Sequence, residues 1–185
     1  KLYDKQLEVR QEKKDLGITN SIAFYDIYAN MGFYIKARND YIMEMKKTVR
    51  DDDYFGLAKY HNNVGNYLRL DKSSSVALAK YKEAMGYLTV FLNNINQVKT
   101  ENEIVEGNVL KGIIEGNIGK CYTQLKQYKD AIPLLESSIA TINEYSKGKF
   151  SSDVIENTLD LAECNLQLEK YKTVKEYLNE DLKPV

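Results

Sequence analysis

One spacing that occurs twice constrains the fold of this chain more than any other feature. Gly65 is followed twelve residues later by Ala77, and Gly119 is followed twelve residues later by Ala131. In both copies large apolar residues flank the small ones at helical spacing. Because two antiparallel helices approach closely only where side chains are short, each copy predicts a helix, a tight turn and a second helix. The chain therefore contains an internal repeat of helix pairs.

The third copy of the repeat is the most complete. It contains Ile118-Gly119-x-x-Tyr122, then Leu125, Tyr128, Ala131-Ile132, Leu135 and Ile139. This pattern resembles the tetratricopeptide repeat signature, in which a helix ending near Gly-x-x-Tyr turns into a second helix carrying a small residue. The first copy, with Ala37 and Tyr41, and the fourth, with Ala162 and Val174, match more loosely. The resemblance implies an all-α fold, a right-handed α-solenoid of antiparallel helix pairs.

The repeats are unequal in length. Ala37, Ala77, Ala131 and Val174 are separated by 40, 54 and 43 residues, against about 34 in the standard repeat. The additional residues contain no cluster of proline or glycine, so they predict longer helices. We expect one helix from about Ser74 to Val98 and another from about Glu101 to Leu125, in a hairpin that projects from the stack.

The same register divides the chain, which we expect to be a single solenoid over residues 1–185. Turns within pairs are predicted at 30–32, 70–73, 126–127 and 169–170. The segments are the second helix of a preceding repeat (1–16) and four repeats (17–50, 54–98, 101–146 and 151–182). Because the chain starts inside a helix pair and without methionine, we expect it to be part of a longer protein.

Composition limits the classes of partner. A net charge of −1 lacks the electrostatic footprint of a general nucleic-acid binder, and no apolar run has the roughly 20 residues needed to span a bilayer. We therefore expect neither direct nucleic-acid binding nor membrane insertion by this segment. The default compartment is the cytoplasm, with the periplasm as the alternative if the parent chain carries an upstream signal sequence.

No arrangement of residues indicates catalysis, a cofactor or a metal. His61 is the only histidine and has no positioned nucleophile beside it in the sequence, so we expect a structural role. Cys121 and Cys164 occupy equivalent repeat positions, which favours packing over reactivity. The run Asp51-Asp52-Asp53 lacks the spacing of a calcium loop and is predicted to be a solvated turn. We expect the chain not to be an enzyme.

The family resemblance also implies a binding surface. In tetratricopeptide proteins the first helices line a concave groove in which extended peptides commonly bind. Amide side chains suit such a groove, since each carries a donor and an acceptor, although a polar solvated face remains the alternative. The candidate residues are Asp26, Asn30, Asn62, Asn63, Asn66, Arg69, Asn117, Lys120 and Gln124, continued in the fourth repeat by Glu156, Asp160, Glu163 and Gln167.

We therefore predict a protein- or peptide-binding scaffold. The acidic Glu156 and Asp160 disfavour the basic clamp that captures chaperone C-termini, and the partner stays unidentified. The long repeats resemble those of bacterial signalling proteins, which suggests the interaction or sensory region of a larger regulatory protein. Two alternatives stay open: a receptor whose curvature changes when it binds a small ligand or peptide, and an enzyme built on an α-solenoid.

Overall fold

The computed structural model describes residues 24–94, 100–146 and 151–170, together with the helical residues Lys5, Glu8 and Gln11. These ranges contain seven α-helices and no β-strand, which confirms the all-α prediction. The helices are α1 (Phe24–Asn30), α2 (Tyr34–Met45), α3 (Tyr54–Leu70), α4 (Ser74–Asn93), α5 (Glu101–Gln124), α6 (Tyr128–Ser146) and α7 (Ser152–Gln167). Most of the helix predicted over 1–16, and the second helix of the fourth repeat, lie outside the described residues.

The helices stack as a solenoid of antiparallel pairs. Each described helix packs against the next one in the chain, and in addition α3 contacts α5 while α5 contacts α7. The first helices α3, α5 and α7 therefore lie side by side in one layer. The first helices of the pairs are α1, α3, α5 and α7, and the second helices are α2, α4 and α6. The division into repeats at 17–50, 54–98, 101–146 and 151–182 stays a prediction.

The same turn follows each of the first helices α1, α3, α5 and α7. Gly32, Lys72, Lys126 and Glu169 adopt φ values of 79°, 61°, 61° and 60°. In each turn the N–H of the left-handed residue donates to the carbonyl three residues back, and the next N–H donates five residues back. This pattern is the Schellman motif, which ends a helix by satisfying its last carbonyls. The turns are spaced by 40, 54 and 43 residues, like the small residues that defined the repeat.

Small residues allow the helices of a pair to approach closely, as predicted. Ala77 and Ala131 are completely buried. A Cβ atom on Gly65 would lie 2.6 Å from the Tyr81 ring, and one on Gly119 would lie 2.8 Å from the Leu135 side chain. Each glycine thus receives the large side chain sixteen residues further along the second helix.

In the long hairpin formed by α4 and α5, helix α4 is shorter than predicted. Helix α5 begins and ends within one residue of its predicted bounds, and its start carries a capping box in which Thr100 and Glu103 bond reciprocally. The predicted end of α4 near Val98 is wrong, because Asn94 is extended and the helix ends at Asn93. Asparagine competes locally with helical hydrogen bonding, which explains the early end. The projection of the hairpin from the stack stays a prediction.

Candidate functional site

The predicted binding residues lie on the first helices of the pairs, with the continuation from the fourth repeat on α7, and we call the side of α1, α3, α5 and α7 that carries them the first-helix face. The nine main candidates lie on α1, α3 and α5. They fall into three groups. One group links neighbouring first helices (Asn62, Asn117 and Lys120), one borders a cavity (Asp26, Asn63 and Asn66), and the third lies elsewhere on the face (Asn30, Arg69 and Gln124). The groups differ in how far a ligand can reach them.

The first group joins the helices to one another. Asn117 Nδ2 donates to Asn62 Oδ1 at 3.0 Å, connecting α5 to α3, and each residue is only 5% exposed. Lys120 Nζ lies 2.6 Å from Glu156 Oε2, connecting α5 to α7, and Lys120 is also 5% exposed. These side chains are already satisfied inside the stack, so they are less available to a peptide than predicted.

Charged groups cluster around the Lys120 link. Its hydrogen bond holds the pKa of Glu156 below the ordinary value, whereas burial raises the pKa of Asp160. Arg69 lies close enough to both carboxylates to affect them, and its Nε is buried without a hydrogen-bond partner among the described residues. The structure thus brings together four of the predicted residues of α3, α5 and α7 in a nearly neutral cluster.

The cavity lies between α1, α2 and α3 and has a volume of about 340 Å³. Its lining residues are Tyr25, Asp26, Tyr41, Asn63, Asn66 and Tyr67. Asn63 Nδ2 donates to the Tyr41 hydroxyl at 3.0 Å, and Asn66 Oδ1 accepts from the Tyr81 hydroxyl at 2.7 Å. Each asparagine therefore uses one end of its amide internally, which leaves the other end for a ligand.

Three tyrosine rings shape this cavity. Tyr25 meets Tyr41 edge-on, with ring centroids 5.0 Å apart and planes at 88°. The Tyr67 ring is tilted against Tyr41, with ring centroids 5.7 Å apart and planes at 58°. Such tilted and edge-on contacts are favourable for aromatic pairs and hold the rings in place. The cavity has a preorganised aromatic lining.

Asp26 is the acidic residue in the cavity lining, and Asp40 lies near Tyr67. Burial raises the pKa of Tyr41 to about 12, partly opposed by the bond from Asn63. The pKa of Tyr67 is raised further, first by burial and then by the nearby carboxylates of Asp26 and Asp40. Burial also raises the pKa of Asp26, and Oδ2 of Asp40 is buried without a hydrogen-bond partner among the described residues. The structure therefore places two carboxylates near the tyrosine rings of the cavity.

The sequence interpretation missed Tyr25, Tyr41, Tyr67 and Asp40 as site residues. A signal was present in the repeat register. Tyr25 lies 40 residues before Gly65, so it occupies the position at which the second and third repeats have a glycine. In the first pair Tyr25 contacts Tyr41, whereas in the second pair Gly65 contacts Tyr81. The first pair therefore has an aromatic ring at the position where the second pair has a glycine.

Two other cavities lie away from the cavity between α1, α2 and α3. One of about 610 Å³ lies between α4 and α5, and its lining residues are Met85, Leu88, Thr89, Leu92, Asn93, Ile104, Asn108 and Lys111. Another of about 590 Å³ lies at the turn between α1 and α2 and is bordered by Phe33, Ile35 and Asp71 among others. Neither contains a predicted binding residue.

The residues considered for catalysis have structural contacts. His61 stacks on Tyr87 at 5.2 Å, and its Nδ1 lies 2.8 Å from Glu83 Oε2 but outside hydrogen-bonding geometry. Burial lowers the pKa of His61. Cys121 and Cys164 are buried, and burial raises the pKa of both thiols, that of Cys121 to about 11. A buried thiol that resists ionisation is a poor nucleophile, in agreement with the predicted packing role.

The acidic run is a solvated turn, as predicted. Asp53 caps α3 by accepting from the Gly56 N–H at 2.8 Å, and Asp52 pairs with Arg50 at the surface. In the described ranges, histidine, cysteine and carboxylate side chains form no group of three suited to a metal ion. No helix within those ranges combines the length and apolar character needed to cross a membrane.

Comparison with known proteins finds similarity at the level of structure. No protein-family model matches the chain, and no curated protein matches it in sequence. Among solved structures, the crystal structure of the apo form of RapI is similar over 94% of this chain, with 19% identity and a TM-score of 0.36. The chain spans 56% of the length of that structure. The fold assignment rests on the helices and contacts described above.

Proposed function

We propose that this chain is a protein- or peptide-binding helical-repeat scaffold whose first-helix face receives an extended polypeptide segment. The observation that carries the proposal is the open cavity between α1, α2 and α3, which combines aromatic rings, two amides and a carboxylate from three helices. A preformed recess with a few placed polar groups is the usual form of a recognition site. Its position on the first helices is the position that the repeat resemblance implies.

The rest of the face can extend the contact with a partner. Asn30 and Gln124 are exposed, and Gln124 is oriented by a 2.6 Å bond from Ser74 Oγ to its Oε1. Asn63 and Asn66 each keep one end of the amide for a ligand. The Asn62–Asn117 and Lys120–Glu156 links are assigned a different role, which is to hold the helices that carry these contacts.

Binding is favoured over catalysis by the state of the reactive side chains. The thiols are buried with raised pKa values, and His61 is packed between rings beside Glu83. Catalysis needs a nucleophile or base that can reach a substrate, together with a group that orients it. We propose further that the scaffold is the interaction or sensory region of a larger signalling or regulatory protein, a context supported by the length of the repeats alone.

The test is selection of random 12-residue peptides for binding to the chain, followed by affinity measurements with two matched variants. Asn63→Ala changes an amide at the cavity, whereas Asn143→Ala changes an exposed amide on the second helix α6. We expect Asn63→Ala to weaken selected peptides about fivefold, since one hydrogen bond contributes about 1 kcal/mol, and Asn143→Ala to have no effect. Peptides that bind both variants as they bind the wild type contradict the assigned face.

A receptor that changes curvature is the second candidate. The 610 Å³ cavity favours it, because α4 and α5 belong to consecutive helix pairs and an occupant between them would alter the angle at which the pairs stack. Small-angle scattering with and without a selected peptide tests this candidate. The receptor is supported if the peptide changes the radius of gyration of the wild type but not that of Met85→Trp, in which the larger side chain fills the cavity. An unchanged radius in the wild type supports a rigid scaffold.

A further inference from the structure

The tyrosine cavity of the first pair lies at a position where the later pairs have a different packing arrangement. In pairs two and three a first-helix glycine receives the side chain of Tyr81 or Leu135, which closes the space between the helices. In the first pair Tyr25 stands at the glycine position and meets Tyr41 edge-on. The cavity of about 340 Å³ opens beside these two rings. The recess therefore accompanies the replacement of glycine by Tyr25 in the first pair.

The size of the cavity limits what can enter it. At about 340 Å³ it is at the lower end of ligand pockets, which span roughly 300–1,000 Å³. It is partly open to solvent, so the rest of a longer ligand can extend out of it. These dimensions fit one long side chain of a bound polypeptide.

The charge of the surroundings identifies the kind of side chain. Asp26 lines the cavity, and Asp40 stands close enough to affect Tyr67. Neither carboxylate forms an ion pair with a described residue, and one oxygen of Asp40 is buried without a hydrogen-bond partner there. Carboxylates that have no ion pair among the described residues and lie near tyrosine rings are complementary to a cation.

The amide geometry adds directionality. Because Asn63 donates its Nδ2 to Tyr41, the Oδ1 of this cavity-lining residue is left as an acceptor. A guanidinium group carries five donors in a plane and stacks on aromatic rings, so it can bond a carboxylate and an amide oxygen together. An ammonium group has fewer donors and no plane to stack.

We propose that the cavity lined by Tyr25, Tyr41 and Tyr67 binds the guanidinium group of an arginine side chain in a partner polypeptide, with Asp26 as its counter-ion. This inference rests on the proposed binding function and names the residue type recognised at one position. Lysine is expected to bind less tightly, and citrulline, which has the shape of arginine without its charge, is expected not to bind.

The first experiment titrates the 185-residue chain with acetyl-Gly-Arg-Gly-amide and follows amide signals by NMR. We expect saturable shifts at Asn63 and neighbouring residues of α1 and α3, and no such shifts with the citrulline peptide. Asp26→Asn should weaken binding about fivefold, the equivalent of about 1 kcal/mol for a charge over aromatic rings at the protein surface. The matched control Asp130→Asn changes an exposed aspartate in the first turn of α6 and should have no effect.

Equal binding of the arginine and citrulline peptides overturns the inference, as does binding that Asp26→Asn leaves unchanged while the variant stays folded. Methylguanidinium alone is the second arm. If it binds as tightly as the peptide, the cavity is a site for a free cation and the proposed polypeptide ligand is wrong.

Peptides from the random library separate this inference from the proposed function. Selected peptides that depend on Asn63 but contain no required basic residue would contradict arginine recognition and leave the scaffold function standing. If no peptide binds the first-helix face although the arginine probe does, the scaffold function fails and the cation site remains.

Discussion

Asn117 and Asn62 are hydrogen bonded across the boundary between α5 and α3, although 55 residues separate them in the sequence. Both side chains are almost fully buried, and the bond length is 3.0 Å. A buried amide needs partners, so the two residues stabilise the stacking of consecutive first helices. Two residues that were expected to contact a peptide therefore form a structural link between repeats.

Asn117→Ala should lower the free energy of unfolding by about 1–3 kcal/mol, because it leaves the buried Oδ1 of Asn62 without a partner. Urea unfolding followed by circular dichroism measures this change. In a double-mutant cycle, Asn62→Ala with Asn117→Ala should cost less than the sum of the single changes. Asn102→Ala, an exposed change in the first turn of α5, should stay within about 0.5 kcal/mol of the wild type. Strict additivity would contradict a direct link.

The turns within pairs offer a stabilising change. Lys72 and Lys126 adopt left-handed backbone at φ 61°, where a residue with a Cβ atom is strained. Lys72→Gly and Lys126→Gly should each raise the free energy of unfolding by roughly 0.5–1 kcal/mol, and their effects should add because the turns are far apart. Thermal and urea unfolding measure the effect.

Lys82→Gly is the matched control for these turns, since Lys82 is exposed inside α4. Glycine in a helix interior should lower stability by about 1 kcal/mol. If Lys72→Gly and Lys126→Gly lower the stability as Lys82→Gly does, the two turns do not have the left-handed conformation.

Much of the fold could be predicted from the sequence because it depends on short-range periodicity. The twelve-residue distance between Gly65 and Ala77 reflects helix geometry and one fixed turn, so it identified the pairs and the turn at Lys72. The end of α4 at Asn93 was not predicted. Whether a helix continues past the adjacent residues Asn93 and Asn94 or ends there depends on small differences in local free energy.

The candidate site was less predictable, since it depends on which polar side chains already form hydrogen bonds to other helices of the stack. A helical wheel places Asn62 and Asn63 on similar faces, but only the three-dimensional packing shows that Asn62 bonds Asn117 whereas Asn63 bonds Tyr41. Likewise the carboxylate of Asp40 comes from a second helix, which was not considered part of the surface. Side-chain pairing across repeats is a long-range property that spacing does not determine.

The Lys120–Glu156 pair should show an asymmetric response to substitution. Glu156→Gln leaves the nearly buried ammonium group of Lys120 without its counter-ion and should cost roughly 1 kcal/mol, a value limited by the exposure of Glu156. The double variant Lys120→Met with Glu156→Gln should recover most of that loss, because methionine keeps the apolar stem and removes the charge. A double variant less stable than Glu156→Gln would contradict this interpretation.

The same pair predicts a dependence on acid. The folded state lowers the pKa of Glu156 from its ordinary 4.5, so its contribution is present above that pH and is lost as the pH falls through the folded value. The stability difference between wild type and Glu156→Gln should therefore be constant at neutral pH and shrink below about pH 4.5. Urea unfolding between about pH 3 and pH 7 covers the range in which carboxylates titrate and measures this difference.

Tyr41 predicts a loss of stability in base. Its pKa is about 12 in the folded chain, against an ordinary value of 10.0, so the folded state holds the proton more tightly. Stability should fall as the pH rises above 10, by about 1.4 kcal/mol per pH unit for this one group. Tyr41→Phe should be about 1 kcal/mol less stable at neutral pH, because Asn63 loses its acceptor, and should decline less steeply in base. Identical slopes would contradict the assigned burial of Tyr41.

Hydrogen–deuterium exchange of the chain with and without its tightest selected peptide tests the central claim, that the first-helix face is the binding surface. We expect slower exchange in α1 and α3 when the peptide is bound, with α6 unchanged, and we expect Asn63→Ala to reduce this protection. Protection confined to the second helices α2, α4 and α6 would contradict the claim.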